Sequence, residues 1–183
     1  MNPIEDITRE HGPIKLVLRV LEKINEKVIK GETLPTEDLR SAIEFIREFA
    51  DKCHHGKEEA LLFPAMKQNG IAEEGALIDV LNKEHIEGRG YVKKMAEAVE
   101  KKEINIEEFA KLFVDSAKKY IILLDQHIEK ENMILFPKAR HSLSDDQLKE
   151  LEKGFLHVEE NIIGRGRHEE LHQIISKLRK AYL

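Results

Sequence analysis

HHGKEEALLFP, residues 54–64, is repeated at residues 127–137 as HIEKENMILFP. With a displacement of 73 residues, His54 falls on His127, Glu58 on Glu131, and Leu62-Phe63-Pro64 on Leu135-Phe136-Pro137. A second echo lies upstream, where Arg9-Glu10-His11 matches Lys83-Glu84-His85 at a displacement of 74. The chain therefore consists of two similar halves, each with one histidine followed by His-x-x-x-Glu. Imidazole and carboxylate are ligands for iron, zinc and manganese, so two matched sets point to two metal ions.

Between turn signals, apolar residues recur at helical spacing. Ile14, Leu18, Leu21 and Val28 form one stripe, Ile43, Ile46, Phe49 and Ala50 a second, Leu77, Leu81 and Val92 a third, and Phe109, Phe113, Ile121 and Leu124 a fourth. No segment alternates with period two for the length of a strand. Gly31 and Pro35 mark a turn with Thr36 as N-cap, Asn69-Gly70 marks a break, and Asn105-Ile-Glu-Glu108 and Ser144-Asp-Asp-Gln147 have the form of capping boxes. These signals predict five helices near 4–30, 36–68, 73–102, 105–140 and 145–181. Pro13 fits a first helical turn if the first helix starts late, whereas Pro64 and Pro137 should kink or end their helices. The expected fold is all-α. It is an up-down-up-down antiparallel four-helix bundle built from two repeated hairpins over 1–140, with a fifth helix in 141–183 packed on the same domain.

The turns bring the histidines together. His11 and His54 are equidistant from the Gly31–Pro35 turn, and His85 and His127 from Asn105, so each antiparallel hairpin sets its two histidines at one height. Glu58 and Glu131 follow at i+4 on the same helical face. The arrangement predicts His11 and His54 on one ion, His85 and His127 on the other, and Glu58 and Glu131 bridging, since a carboxylate offers two oxygens.

Bulk properties set limits. The 183 residues are 41% hydrophobic and 36% charged with a net charge of −5, a soluble globular composition large enough for a full core. Aromatic residues make up 5% and Trp is absent, which disfavours stacking on single-stranded nucleic acid, and no basic block suits duplex DNA. One cysteine, Cys53, excludes an internal disulfide and a cysteine-based zinc site. The N-terminal residues lack a secretory pattern and no stretch is long and apolar enough to span a bilayer, so a cytoplasmic protein without membrane or nucleic-acid partners is expected.

The ligand pattern His11…His54-x-x-x-Glu58…His85…His127-x-x-x-Glu131, with its flanking Leu-Phe-Pro, resembles that of hemerythrin-like proteins of the HHE cation-binding type over residues 1 to about 140. The resemblance implies a four-helix bundle with two non-haem iron ions, bridged by two carboxylates and an oxo or hydroxo group; manganese and zinc stay open alternatives. It implies binding or sensing of a small oxidant, O2 or NO, or iron handling, with a protein partner in the case of a sensor. The alternatives are a di-iron enzyme reducing peroxide or nitric oxide, or an iron donor for iron–sulfur cluster repair. Oxygen-carrying hemerythrins have a further histidine four residues away on the third helix, but Leu81 and Arg89 stand at those positions here. A more symmetric site with two histidines per iron is therefore implied, and reversible oxygen transport is put in doubt. A ferritin-like site would need paired Glu-x-x-His motifs, and Glu169–His172 is the single example.

Several neighbours fall outside this set. His55 matches Ile128 and is expected off the bundle axis, and Glu59, which matches Asn132, is expected outside the ligand set. Glu10 and Glu84 precede paired histidines and could orient the ligands, but read first as solvated acids; Tyr120 could line the pocket, but reads first as a core tyrosine; Cys53 reads as a small buried side chain. Whether His168, His172 or Glu160 of the fifth helix joins the site is open at this stage.

Overall fold

A computed structural model describes residues 2–69 and 72–183, except the side chains of 72–74. Five helices, and no strand among the described residues, account for it. They are α1 (Pro3–Ile29), α2 (36–68), α3 (Ala72–Lys101), α4 (106–142) and α5 (145–182). The expected break at Asn69-Gly70 includes Gly70, which lies outside the described residues.

The termini follow local chemistry. Asn2 Oδ1 accepts from the Ile4 amide at 2.9 Å and Pro3 occupies the first turn, so α1 begins earlier than Pro13 would suggest. Pro13 is interior to α1, contrary to its expected place in a first turn. Its ring removes one amide donor from the interior of the helix. Thr36 does not cap α2. It is the first helical residue, and its hydroxyl accepts from Lys102 at 2.9 Å. Asn105 caps α4 through the Glu108 amide at 3.0 Å, and Ser144 with Gln147 forms a complete capping box on α5. Gly31, at φ 75°, supplies the left-handed residue that closes the first turn.

Pro64 and Pro137 neither end nor break their helices, which run on to Gln68 and Ser142. Each proline follows a wide helical turn, Glu58–Leu62 and Glu131–Leu135, in which the amide ahead of the proline bonds five residues back: Phe63 to Glu58, and Phe136 to Glu131. A proline in a regular α-helix would collide with the carbonyl four residues earlier. The extra residue in the turn relieves that collision. In α2 a further wide stretch covers Ile46–His55.

The α1–α2 and α3–α4 hairpins pack with α1 against α4 and α2 against α3, and α5 lies across α1 and α2. Two hydrophobic clusters fill the bundle. One runs toward the hairpin turns and includes Leu21, Phe49, Phe113 and Tyr120; the other, at the far end, includes Ile7, Phe63, Leu81 and Phe136. Helix α5 contributes Leu171, Ile175 and Leu178 to the first cluster and Leu151 and Phe155 to the second. Between the clusters lies a buried polar layer. Among the described residues, no helix is long and apolar enough to cross a membrane.

Candidate metal centre

The polar layer is made by His11, His54, Glu58, His85, His127 and Glu131, all six buried. His11 comes from α1, His54 and Glu58 from α2, His85 from α3, and His127 and Glu131 from α4. The equal distances from the turns place each pair at one height: His11 Nε2 lies 3.1 Å from His54 Nε2, and His85 Nε2 lies 3.0 Å from His127 Nε2. The glutamates span the pairs. Glu58 Oε1 is 3.6 Å from His54 Nε2 and its Oε2 is 3.5 Å from His85 Nε2. Glu131 Oε2 is 3.1 Å from His11 Nε2 and its Oε1 is 2.9 Å from His127 Nε2.

Every imidazole is oriented from outside. His54 Nδ1 donates to Glu10 at 2.9 Å, His127 Nδ1 to Glu84 at 2.9 Å, His85 Nδ1 to Glu59 at 2.6 Å, and His11 Nδ1 to Asn132 at 2.9 Å. Donation through Nδ1 fixes the tautomer that leaves an Nε2 lone pair pointing inward. Glu10 and Glu84 are thus not the solvated acids their sequence suggested. Each precedes its neighbouring histidine, lies about 100° from it around the helix, and so reaches the histidine of the adjacent helix. The sequence signal was present in the repeated Glu-His dipeptides at 10–11 and 84–85. Glu59 and Asn132, matched by the same repeat, play equivalent parts just outside the inward-facing set.

The electrostatics follow from burial and these contacts. Burial alone would lower the pKa of His127, but Glu131 and Glu84 outweigh it and hold the ring up at about 10. His54 and His85 are also raised, with burial opposed by Glu58 and by the outer carboxylates Glu10 and Glu59. Burial and then the facing charge of Glu131 push Glu58 up. Glu131 goes down despite its burial, because His127 and His11 approach it more closely than any histidine approaches Glu58.

All four carboxylate oxygens of Glu58 and Glu131 are buried without a hydrogen-bond partner of acceptable angle. Such groups are costly to leave unpaired. With the inward Nε2 protons displaced, four imidazole nitrogens and four carboxylate oxygens make a ligand set for hard or borderline cations. The spacing agrees, since two nitrogens bound at right angles to one ion about 2.1 Å away lie about 3.0 Å apart.

His55 departs from expectation. It is buried, not turned off the axis, because the wide stretch Ile46–His55 puts more residues in each turn and narrows the angle between consecutive side chains. Its ring stacks on His85 with centroids 3.9 Å apart, and its Nδ1 has no hydrogen-bond partner. It groups with Glu58, His85 and His127 within ligand distance, so the two halves are less alike than the six-residue pattern implies. Burial and the neighbouring histidines push its pKa well down.

A cavity of ≈ 320 Å³ opens on this side, with His55, His85 and Tyr120 among its inner lining and Arg47, Asp51, Arg89 and Lys93 around it. Arg89 pairs with Asp51 and Glu59, each at 2.7 Å. On the other side α5 covers the site. Its His168 and His172 pack on Phe49, with ring centroids 5.8 and 5.4 Å away, and Glu160 pairs with Arg165 at 2.6 Å. None of the three joins the six inward-facing residues; His168 groups with Glu10 and Cys53 instead. Cys53 is fully buried as expected, and burial pushes its thiol up to about 12.

Residues 2–139 match the model of the Hemerythrin HHE cation binding domain. Proteins described as uncharacterized, from Mycobacterium bovis and from two strains of Mycobacterium tuberculosis, are 23% identical over 151 residues. The aligned stretch covers 82% of this chain and 58% of theirs, so the chain spans little more than half the length of these curated relatives.

Proposed function

The chain belongs to the hemerythrin HHE cation-binding domain family and so carries a metal-cation site, and from that premise we propose that it is a non-haem di-iron protein that binds or senses a small oxidant, O2 or NO. His11 and His54 would hold one iron and His85 and His127 the other, with Glu58 and Glu131 each offering one oxygen to either side. The observation that carries this reading is the pair of buried glutamates, each with one oxygen toward either histidine pair and no hydrogen bond of its own. When bound, the iron pair supplies one-electron redox chemistry between ferrous and ferric states. The protein's part is to fix the imidazole tautomers, to exclude water with the two apolar clusters, and to admit a ligand through the cavity beside His85 and His55.

A second reading, reduction of peroxide or nitric oxide at the same site, is favoured by the size of that cavity, which exceeds the needs of one diatomic molecule. Metal analysis of untagged protein from iron-replete cells tests the first reading, together with the visible spectrum before and after air and azide. About two irons per chain and a ferric spectrum lost in His54→Ala and His127→Ala are expected. Absence of stoichiometric metal, with the variants unchanged, overturns it. Multiple turnovers of peroxide or NO by the loaded protein would select the second reading.

A further inference from the structure

Helix α5 lies beyond the matched residues 2–139, yet it reaches the candidate site. The 73-residue repeat also aligns Lys57 with Lys130. Both lysines make the same contact one step behind a histidine. Lys57 pairs with Glu10, the acceptor of His54 Nδ1, and Lys130 pairs with Glu84, the acceptor of His127 Nδ1. Two His–Glu–Lys chains therefore run outward from the centre, one in each half.

They end differently. The Lys130 side chain is 31% exposed and its chain ends in solvent, whereas Lys57 is 1% exposed because α5 lies over it. There the ammonium meets the Glu159 carboxylate, and its Nζ stands 5.5 Å from the centre of the Phe155 ring. Beyond Glu159, Arg167 ties α5 to Glu44 and Glu48 of α2, and Leu171 and Ile175 anchor it in the core. Glu159 thus lies between two anchored parts of α5, Phe155 in the second cluster on one side and Arg167 beyond Gly164 on the other.

The carboxylate on Nδ1 makes an imidazole a stronger ligand, and a cation behind that carboxylate weakens the effect. In the second half Lys130 cancels the charge of Glu84, with partial screening by water. In the first half Glu159, half-buried on α5, offsets the buried Lys57, so the chain Glu10–Lys57–Glu159 keeps one net negative charge behind His54.

We propose that α5, through Glu159 and Lys57, strengthens His54 as a ligand for its ion. Glu159 and Lys57 are positioning residues for His54 and touch no metal. The inference rests on the two-metal reading above, and it gives α5 a role in setting the properties of the site.

The test uses the full-length, iron-loaded protein, with iron release to a ferrous chelator followed in time and the two irons resolved by Mössbauer spectroscopy. Wild type sets the release rate of each of the two irons. Glu159→Gln keeps the volume and removes the charge. It should speed the release of one iron about tenfold, the low end of what outer partners of metal ligands contribute, and shift one Mössbauer doublet only. Glu159→Asp should stay near wild type, and Lys130→Gln should leave that iron's release alone. Equal acceleration of both irons' release would mean that α5 merely holds the bundle together. That result, or a Glu159→Gln protein that releases iron as wild type does, overturns the proposal. A wild-type protein without stoichiometric iron would instead overturn the metal reading itself, before any variant is compared.

Discussion

Glu131→Ala should be the most damaging single change at the centre, since one Glu131 oxygen faces each half: Oε2 at 3.1 Å from His11 Nε2 and Oε1 at 2.9 Å from His127 Nε2. It removes a ligand from both proposed ions, whereas His11→Ala removes one ligand from one ion. A metal that binds the folded chain alone stabilises it by about 2.7 kcal/mol per site when its concentration is a hundredfold above Kd. Two sites give about 5.4 kcal/mol. At roughly 2–4 °C per kcal/mol for a chain of this size, metal should raise the wild-type melting midpoint by about 11–22 °C. The rise should fall to about half in His11→Ala and nearly vanish in Glu131→Ala. Scanning calorimetry of the three proteins in EDTA, then in anaerobic ferrous iron at one fixed excess, measures it. All three should melt cooperatively in EDTA, so that misfolding is not mistaken for lost binding. A Glu131→Ala protein that keeps more than half the wild-type rise would refute the shared-carboxylate geometry.

Metal capture should strengthen with pH. His127 is held up at about 10 in the folded chain, so its proton contributes stability fully below the unfolded value of about 6.5 and that contribution fades as pH rises to about 10. An incoming ion must displace that proton, so adding metal to EDTA-stripped, dialysed protein at pH 8 should release acid in a pH-stat; no release would contradict the assigned contacts. Phe136 is 1% exposed and stacks on His11 with ring centroids 5.3 Å apart. Phe136→Ala should therefore cost about 3–5 kcal/mol in urea unfolding, and a loss under about 1 kcal/mol would show that the ring is not part of the packed wall. Gly88 lines the cavity beside His85, and a Cβ there would meet Tyr120 and Leu124 at 3.5 Å. Gly88→Leu should slow azide binding to the loaded protein by roughly tenfold, on the order of 1.4 kcal/mol, at unchanged metal content; unchanged kinetics would place the entry elsewhere.

Most of the frame was legible because it is written twice. The repeat and the equal spacing of histidines about two turns sufficed to predict which six side chains meet, and helical periodicity located five helices to within a few residues. Where sequence reasoning failed, the helix geometry was not regular. Pro64 and Pro137 were read as kinks or stops, since composition does not reveal a widened turn that accommodates them. His55 was turned outward by the 100° step of an ordinary α-helix, a step that the stretch Ile46–His55 does not obey. The roles of Glu10 and Glu84 depend on which neighbouring helix lies across from them, which one helix's pattern does not contain. The burial of Lys57 depends on α5, for which the other half has no counterpart.

The two wide turns also make the chain unusually sensitive to its own length at two points. Each one inserts a single residue between a glutamate of the polar layer and the apolar end of its helix, so the segment beyond is rotated by about a quarter-turn or more relative to an uninterrupted helix. Glu58 and Phe63, or Glu131 and Phe136, face their separate surroundings only because of that phase slip. Deleting one residue from 59–62 or 132–135 would leave Glu58, Glu131 and the segments from Phe63 and Phe136 onward intact and still misalign the layer with the core beneath it. Tolerance of insertions and deletions should therefore be lowest in these eight positions and much higher in the turn at Gly31.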